Sequence, residues 1–185
     1  MTRSGKTEYA ILGLLAMGPK TGYDIKREVQ QTLGHFWNES YGNLYPVLRR
    51  LRRDGLVVRA RTRSAKGPPR LVYSLTADGN AELRDWLRRP VDVIAPRNEL
   101  LLKLFFGRFA GRGHLIHTIG EYRTQLTAML GRLEHLDTTL ADIDPQPPDL
   151  TYWRLTLAYG LRGIASVADW CDAAIARLQT LEDDR

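Results

Sequence analysis

The stretch NLYPVLRRLRRDG, residues 43–55, decides the fold because it predicts a short helix with two chemically opposite faces. At about 100° per residue, one face is wholly apolar and comprises Leu44, Val47, Leu48 and Leu51. The opposite face is cationic and comprises Arg49, Arg50, Arg52 and Arg53. Asp54-Gly55 ends the helix, and Glu39 and Asp54 are the only carboxylates close by in sequence. This scarcity of acidic partners favours a surface that meets an anion over a merely solvated arginine face.

Two short helices are predicted before this stretch. The first covers residues 7–17 and is ended by Gly18-Pro19, since proline cannot continue a helix. The second covers residues 21–34, because apolar residues recur there at every fourth position: Ile25, Val29 and Leu33. The N-terminal half therefore opens with two short packed helices, followed by the amphipathic third.

Two strands and a basic turn follow the third helix. Residues 56–62 and 70–75 alternate with period two and are rich in Val, Tyr and Thr, as strands are. Residues 63–69 between them form a turn that contains Arg63 and Lys66. A fourth helix is predicted from its cap at Thr76 through Leu87. A cationic third helix followed by a basic two-stranded ribbon is the arrangement of a winged helix-turn-helix, whose third helix enters the DNA major groove.

The charge of the chain is divided unevenly between its halves. Residues 1–90 hold 17 Lys+Arg and 8 Asp+Glu, a net charge of +9, whereas residues 91–185 hold 10 and 13, a net charge of −3. A basic half indicates a polyanionic partner, most commonly nucleic acid. We therefore predict two domains, a winged helix-turn-helix DNA-binding domain over residues 1–90 and a helical dimerisation and effector domain over residues 91–185. The fold class is mainly α with a small β wing.

The predicted contacts with double-stranded DNA divide into base-reading and phosphate-holding residues. The start of the third helix points into the groove, so its candidates for base edges are Tyr41, Asn43 and Tyr45. Ser40 is a further predicted DNA contact. The candidates for phosphate contacts lie on the third helix and the wing: Arg49, Arg50, Arg53, Arg61, Arg63, Lys66 and Arg70.

The second half predicts a long helical hairpin. Residues 100–109 form a short apolar helix, and a coiled-coil-like heptad seam then runs from Leu115 to Ile143. Residues 144–149 contain three prolines and break the helix, and a second apolar run follows over residues 150–181. Two helices of about 30 residues thus fold back as an antiparallel pair.

Apolar residues off the seam, among them Tyr152, Leu155 and Tyr159, predict that this hairpin pairs with a second copy of the chain. The predicted dimerisation residues are Leu115, Ile119, Leu126, Met129, Leu133, Leu157, Leu161 and Ile164. A two-fold dimer would present two recognition helices about one DNA turn apart, near 34 Å. A monomeric bundle, with the hairpin packed on the winged helix, remains the alternative.

Several classes of protein are excluded by what the sequence lacks. No apolar run approaches the roughly 18 residues of a membrane span, and the polar N-terminus does not resemble a signal peptide, so we expect a cytoplasmic protein. Cys171 is the single cysteine and cannot form an intramolecular disulfide. No catalytic constellation, metal site or cofactor motif is indicated, which predicts a non-enzyme.

A small aromatic ligand is a further predicted partner. Five aromatic residues are candidates to line an effector pocket between the hairpin and the DNA-binding domain: Trp86, Tyr122, Tyr152, Trp153 and Trp170. The alternative is that these side chains serve only as core or interface aromatics.

The ordered motifs of the first ninety residues resemble the PadR family of bacterial winged-helix transcriptional regulators. The matching pieces are residues 10–15 (AILGLL), 22–25 (GYDI), 43–51 (NLYPVLRRL), 54–57 (DGLV), 66–70 (KGPPR) and 73–76 (YSLT). KLFFG at residues 103–107 resembles the opening of the helical domain of longer members. The resemblance implies a homodimeric repressor that binds an inverted-repeat operator and responds to aromatic compounds. The alternative function is a helical interaction protein whose basic winged helix binds a protein partner or RNA.

Overall fold

The computed structural model describes residues 6–34, 36–37, 44–64, 67–91, 97–143, 145 and 147–181; the side chains of residues 63, 64 and 67–69 are not described. Contacts between Cα atoms divide the chain into two compact units, Met1–Val93 and Ile94–Arg185. They are called here the N-terminal and the C-terminal unit. Within the described residues, no helix is both long and apolar enough to cross a membrane.

The N-terminal unit consists of four helices and a three-stranded antiparallel sheet. Its elements are α1 (Thr7–Ala16), β1 (Lys20–Thr21), α2 (Gly22–Glu28) with a π-helical turn (Val29–Leu33), α3 (Leu44–Arg53), β2 (Val57–Ser64), β3 (Gly67–Leu75) and α4 (Ala77–Arg88). The strand order is β1-β3-β2. The predicted helices and hairpin are confirmed, and β1, a strand too short to show a period, is an addition.

The wing hairpin is longer than predicted. Its register runs from the pair Val57 and Leu75 to the pair Thr62 and Arg70, and an irregularity follows before Ser64 pairs with Gly67. Residues 67–69, predicted as part of the turn, thus belong to β3. Two prolines are tolerated there because β1 pairs only with Val72 and Tyr73, so that β3 is an edge strand near the tip.

The apolar face of α3 is buried in the core of the N-terminal unit, as predicted. Leu44, Leu48 and Leu51 are each at most 1% exposed. They belong to a cluster with side chains from α1, α2 and the sheet, including Ile11, Ile25 and Val57. Burial of this face on three elements fixes the rotation of α3 about its axis, so that the arginine side is directed away from the core.

Thr76 joins the end of α3, the start of β2 and the start of α4. Its hydroxyl oxygen lies 2.8 Å from the carbonyl oxygen of Gly55 and 2.9 Å from that of Leu56, and it accepts the N–H of Gly79 at 3.0 Å. Its own N–H donates to the Leu56 carbonyl at 3.1 Å. Gly79 must be a glycine here, since a Cβ atom would lie 2.1 Å from the carbonyl oxygen of Leu56.

The C-terminal unit contains α5 (Glu99–Phe105), a 3-10 turn (Gly107–Phe109), α6 (Arg112–Ala141) and α7 (Leu150–Gln179). The prediction of one continuous helix over residues 100–109 is wrong, because α5 ends at Phe105. The chain turns there at Gly107, which packs closely on α6: a Cβ atom would lie 2.8 Å from Cδ1 of Leu115.

The two long helices form the predicted antiparallel hairpin. Arg123 of α6 makes a bidentate ion pair with Asp172 of α7, with N···O distances of 2.5 and 2.9 Å. Toward the other end of the pair, Arg154 lies 3.5 Å from Asp137. The core of this unit is formed by Leu100, Ile119 and Cys171 with flanking apolar side chains. Burial raises the pKa of the Cys171 thiol above its ordinary value.

Candidate nucleic-acid interface

Tyr45 is the one predicted base-reading residue that the structure describes. Ser40, Tyr41 and Asn43 lie outside the described residues. Tyr45 is the second residue of α3, and 55% of its surface is exposed. Its ring lies against Gly22, where a Cβ atom would be 2.9 Å from Cε1 of Tyr45. The bare backbone at Gly22 therefore makes room for Tyr45 on the surface of the unit.

The four arginines of α3 are not equivalent. The Arg50 guanidinium pairs with the carboxylate of Glu8 on α1, which is only 16% exposed. Arg53 lies 3.1 Å from Asp54 in a solvated pair that holds it only weakly. Within the described part of the chain, Arg49 and Arg52 have no ion-pair partner. The expectation that acidic partners are scarce overlooked Glu8, which lies 42 positions before Arg50 and reaches it only through the tertiary fold.

Two of the wing cations predicted to contact DNA, Arg61 and Arg70, have described side chains. Arg61 on β2 is exposed and lies opposite Leu71, and Arg70 on β3 is exposed and lies opposite Thr62. The side chain of Arg63 and all of Lys66 lie outside the described residues. Directly opposed residues share a face of the hairpin, so Arg61 and Arg70, at adjacent pairs, are on opposite faces.

A groove of about 660 Å³ connects these elements. It brings Tyr45 and Arg70 together with Tyr23 and Arg27 at the start of α2, two residues that sequence reasoning did not assign to DNA. The available signal was their spacing, because residues four apart on a helix lie on one face. The Arg27 guanidinium carbon lies 5.9 Å from the ring centroid of Tyr23.

Asp24 fixes the start of α2 beside this groove. Its carboxylate accepts the hydroxyl of Thr21 at 2.7 Å and the Thr21 N–H at 3.2 Å, and its own N–H donates to the Thr21 hydroxyl in return. The hydroxyl bond is the main reason that the pKa of Asp24 is lowered, with Arg27 and Arg70 as further causes. Because the pKa of Asp24 is lower in the folded state, its carboxylate stabilises the fold at pH values above its pKa in the unfolded chain. This stabilisation is lost as the pH falls through the folded-state pKa.

Two family models together match most of the chain. A model of the transcriptional regulator PadR-like family matches residues 11–85, and a model of the virulence activator alpha C-terminal domain matches residues 96–179. The chain belongs to the PadR-like family. It is a transcriptional regulator and not an enzyme. Each half of the chain matches its own family model.

Relatives of this PadR-like protein match it over more than nine-tenths of its length. The negative transcriptional regulator PadR of Bacillus subtilis (strain 168) is 28% identical over 177 residues, which cover 92% of this chain and 96% of that protein. The solved structure of B. subtilis PadR in complex with operator DNA has a TM-score of 0.82 at 27% identity, covering 94% and 99% of the two chains. The structure of the same protein with p-coumaric acid has a TM-score of 0.75 at 28% identity, covering 93% and 98%.

Of the five aromatic residues predicted to line an effector pocket of this PadR-like protein, one lies in the N-terminal unit and four lie in the C-terminal unit. Trp86 lies in the N-terminal unit and stacks on Tyr9 with ring centroids 4.5 Å apart. In the C-terminal unit, Tyr122 packs beside the buried cluster and Trp153 is half-buried. Tyr152 and Trp170 are exposed and lie about 27 Å apart along α7 at 1.5 Å per residue, so the structure does not bring these two together.

The predicted dimerisation residues of this PadR-like protein lie largely inside its own hairpin. Leu115, Ile119, Leu133 and Leu157 are buried within a single chain. The other four are partly buried: Leu126, Met129, Leu161 and Ile164. The heptad seam therefore closes α6 on α7. The most exposed large apolar side chains of α7 are the off-seam Tyr152, Leu155 and Tyr159.

Proposed function

We propose that this PadR-like protein binds an inverted-repeat operator as a homodimer and represses transcription until a small aromatic effector releases it. The observation that carries the proposal is the fixed orientation of α3, whose leucines are buried while Tyr45, Arg49, Arg52 and Arg53 are exposed. A helix held in this way can enter a major groove without rearrangement. B. subtilis PadR, a negative regulator solved in complex with operator DNA, supports the same reading.

We assign the residues of the interface by their chemistry and partners. Base edges are read by the start of the third helix: Ser40, Tyr41, Asn43 and Tyr45. Phosphates are held by the exposed arginines of α3 and by the wing: Arg49, Arg52, Arg53, Arg61, Arg63, Lys66 and Arg70. Arg50 is also predicted as a phosphate contact, but its guanidinium forms an ion pair with Glu8. We propose that this ion pair holds α3 on α1.

The homodimer is supported by an exposed apolar face on α7. Tyr152, Leu155 and Tyr159 are 67%, 64% and 78% exposed, and helical spacing places them on one stripe that continues through Gly163 to Trp170. We call residues 152, 155, 159, 163 and 170 the α7 stripe. Monomeric proteins rarely expose contiguous apolar patches of more than a few hundred Å². A second copy, which supplies an equal and self-complementary stripe, is the occupant we propose.

The aromatic effector is supported by the chemistry of a pocket in the C-terminal unit. This pocket, of about 380 Å³, is lined by apolar and aromatic side chains of α5, the 3-10 turn and α6, among them Leu102, Phe106 and Phe109. Lys103 and His114 also line it and are suited to a carboxylate. B. subtilis PadR has been solved with p-coumaric acid, a ligand with an aromatic ring and a carboxylate.

The test is a titration of labelled duplexes at about 150 mM salt, where non-specific electrostatic binding is weakened. We expect the duplex upstream of this protein's own gene or of a neighbouring gene to bind about 1,000-fold more tightly than a scrambled duplex. An RNA hairpin of the same sequence should bind no better than the scrambled duplex. Addition of p-coumaric acid should release the upstream duplex. Equal affinities for the upstream and scrambled duplexes would contradict the operator proposal.

The ion pair of Arg50 with Glu8 predicts that substitutions of Arg50 and of its neighbour Arg49 have different effects on stability and on DNA binding. Arg50→Gln should lower the free energy of unfolding by about 1 kcal/mol, because the partly buried carboxylate of Glu8 loses an ion-pair partner. Arg49→Gln should leave stability within about 0.5 kcal/mol, yet weaken binding to every duplex and flatten the salt dependence by about one unit of slope. Urea denaturation and anisotropy titrations measure the two effects. Equal stability losses in both variants would refute the assignment of Arg50.

A further inference from the structure

We infer that the first turn of α1 positions the recognition helix α3 and couples it to the end of α4. Two adjacent residues of this turn bind different helices: Glu8 pairs with α3, and Tyr9 contacts α4. A displacement at the end of α4 is then passed through α1 to α3. The inference rests on the proposed function only in taking α3 as the helix that reads DNA.

A cluster of three side chains from the end of α4 holds Tyr9. Its ring stacks on Trp86, with ring centroids 4.5 Å apart and planes 6° apart. Its hydroxyl donates to Oε1 of Glu82 at 2.9 Å, and the Arg89 guanidinium donates to the same oxygen at 3.3 Å. Burial and the hydrogen bond to Glu82 raise the pKa of the Tyr9 phenol above its ordinary value, so the hydroxyl remains a donor. We call these residues the α1–α4 cluster.

Arg89 belongs to this cluster and is also the residue at which the chain leaves α4. Its backbone is extended, with φ −68° and ψ 145°, whereas α4 ends one residue earlier at Arg88. The N-terminal unit itself ends shortly afterwards, at Val93. Any movement of the C-terminal unit that displaces Arg89 therefore acts directly on Glu82 and Tyr9.

The route continues from Tyr9 to α3 through the neighbouring Glu8. Adjacent residues of a helix point about 100° apart, so one turn of α1 can serve two different partners. The Glu8 carboxylate is 16% exposed and pairs with the Arg50 guanidinium. Apolar packing between α1 and α3 is non-directional, whereas a charge-assisted hydrogen bond is directional. The ion pair therefore fixes the position of α3 against the first turn of α1.

The test is a double-mutant cycle, because only such a cycle separates coupling from simple stabilisation. Glu82→Gln removes the charge that Tyr9 and Arg89 share. We expect amide hydrogen exchange of α3 to become about 5-fold faster in the DNA-free protein, while the β2–β3 hairpin changes less than about 2-fold. In the Arg50→Gln background, the same substitution should change the exchange of α3 by less than about 2-fold, since the route is already broken.

Two further variants guard against misinterpretation. Tyr9→Phe removes only the hydroxyl and keeps the ring stack, so it should give the same pattern with an effect of about 3-fold even if Glu82→Gln folds poorly. Asp85→Asn is the matched control, because it makes the same charge change on α4 at a solvated ion pair within that helix, with Arg88. Its exchange should match that of the wild type. Thermal unfolding of each variant checks that the fold is intact.

Duplex binding tests whether the coupling reaches function. Affinity for the upstream duplex should fall about 5-fold in Glu82→Gln, and Glu82→Gln combined with Arg50→Gln should bind no more weakly than Arg50→Gln alone. The same pair of substitutions made with Arg49→Gln in place of Arg50→Gln should be additive, since Arg49 has no ion pair with α1 within the described residues.

The outcomes separate this inference from the proposed function. If exchange of the β2–β3 hairpin rises as much as that of α3, the α1–α4 cluster only stabilises the unit and the inference is overturned. Equal effects of Glu82→Gln with Arg50 present and with Arg50 replaced would also overturn it. If the wild type shows no preference for its upstream duplex but α3 alone responds to Glu82→Gln, the operator proposal fails and the coupling stands.

Discussion

Gly79→Ala is expected to lower the free energy of unfolding of the N-terminal unit by about 3 kcal/mol, because the added methyl group has no space. Its carbon would lie 2.1 Å from the carbonyl oxygen of Leu56 and 2.8 Å from Cδ1 of Leu75. The first neighbour is backbone and belongs to the junction that Thr76 closes. Relief of the overlap must therefore move the start of α4 away from β2 and break hydrogen bonds of that junction.

Gly13→Ala is the matched control, since the same chemical change is made on α1 at a position where the new carbon meets nothing within 4 Å beyond its chain neighbours and the nearby backbone of its own helix. Alanine is the better helix former, so this variant should be more stable by as much as about 1 kcal/mol. Urea denaturation followed by far-ultraviolet circular dichroism measures both. Opposite signs for the two variants are expected, and a stable Gly79→Ala protein would refute the tight approach of α4 to Leu56.

Replacement of Leu155 and Tyr159 by glutamate should convert the protein to a monomer and weaken operator binding by about 100-fold or more. Two charges in the centre of the α7 stripe cannot be buried against two charges of a second copy. Once the copies separate, each winged helix binds its half-site alone, and the gain from linking two binding events is lost. Binding to scrambled duplexes depends on phosphate contacts of single units and should fall much less.

Ala176→Glu, also on α7 but outside the stripe, is the control for this variant. Sedimentation velocity at micromolar concentration measures the oligomeric state, and helicity checks the fold of the hairpin. We expect a dimer for the wild type and for Ala176→Glu, and a 21.0 kDa species for the double variant. A wild type that sediments as a monomer would contradict the dimer proposal at once.

Local pattern was sufficient for the helices of the N-terminal unit, for the existence of the wing and for the long helical hairpin. The leucines of α3 fall on one face whatever lies around them, so periodicity alone predicted which side is buried. The heptad seam likewise predicted two packed helices. A heptad seam does not show whether the helix opposite belongs to the same chain or to a second copy. Ile119 and Leu157, which were predicted to contact a second copy, are buried within the single chain.

Features that depend on the tertiary fold escaped sequence reasoning. Glu8 has no pattern that marks it as the partner of Arg50, since only the packing of α1 on α3 brings them together. Strand β1 has two residues and thus no period. Tyr23 and Arg27 share a groove with Tyr45 because Gly22 allows the ring of Tyr45 to approach α2.

The burial of Cys171 makes the single thiol of the chain a kinetic reporter of its helical hairpin. The side chain is fully buried beside Ile119, and burial also raises its pKa, so the reactive thiolate is scarce while the helices are packed. Thiol-specific reagents then modify the protein only as fast as the hairpin opens. The rate of Cys171 modification in the wild-type protein thus measures the lifetime of the closed hairpin. Any partner that stabilises the hairpin will lengthen this lifetime.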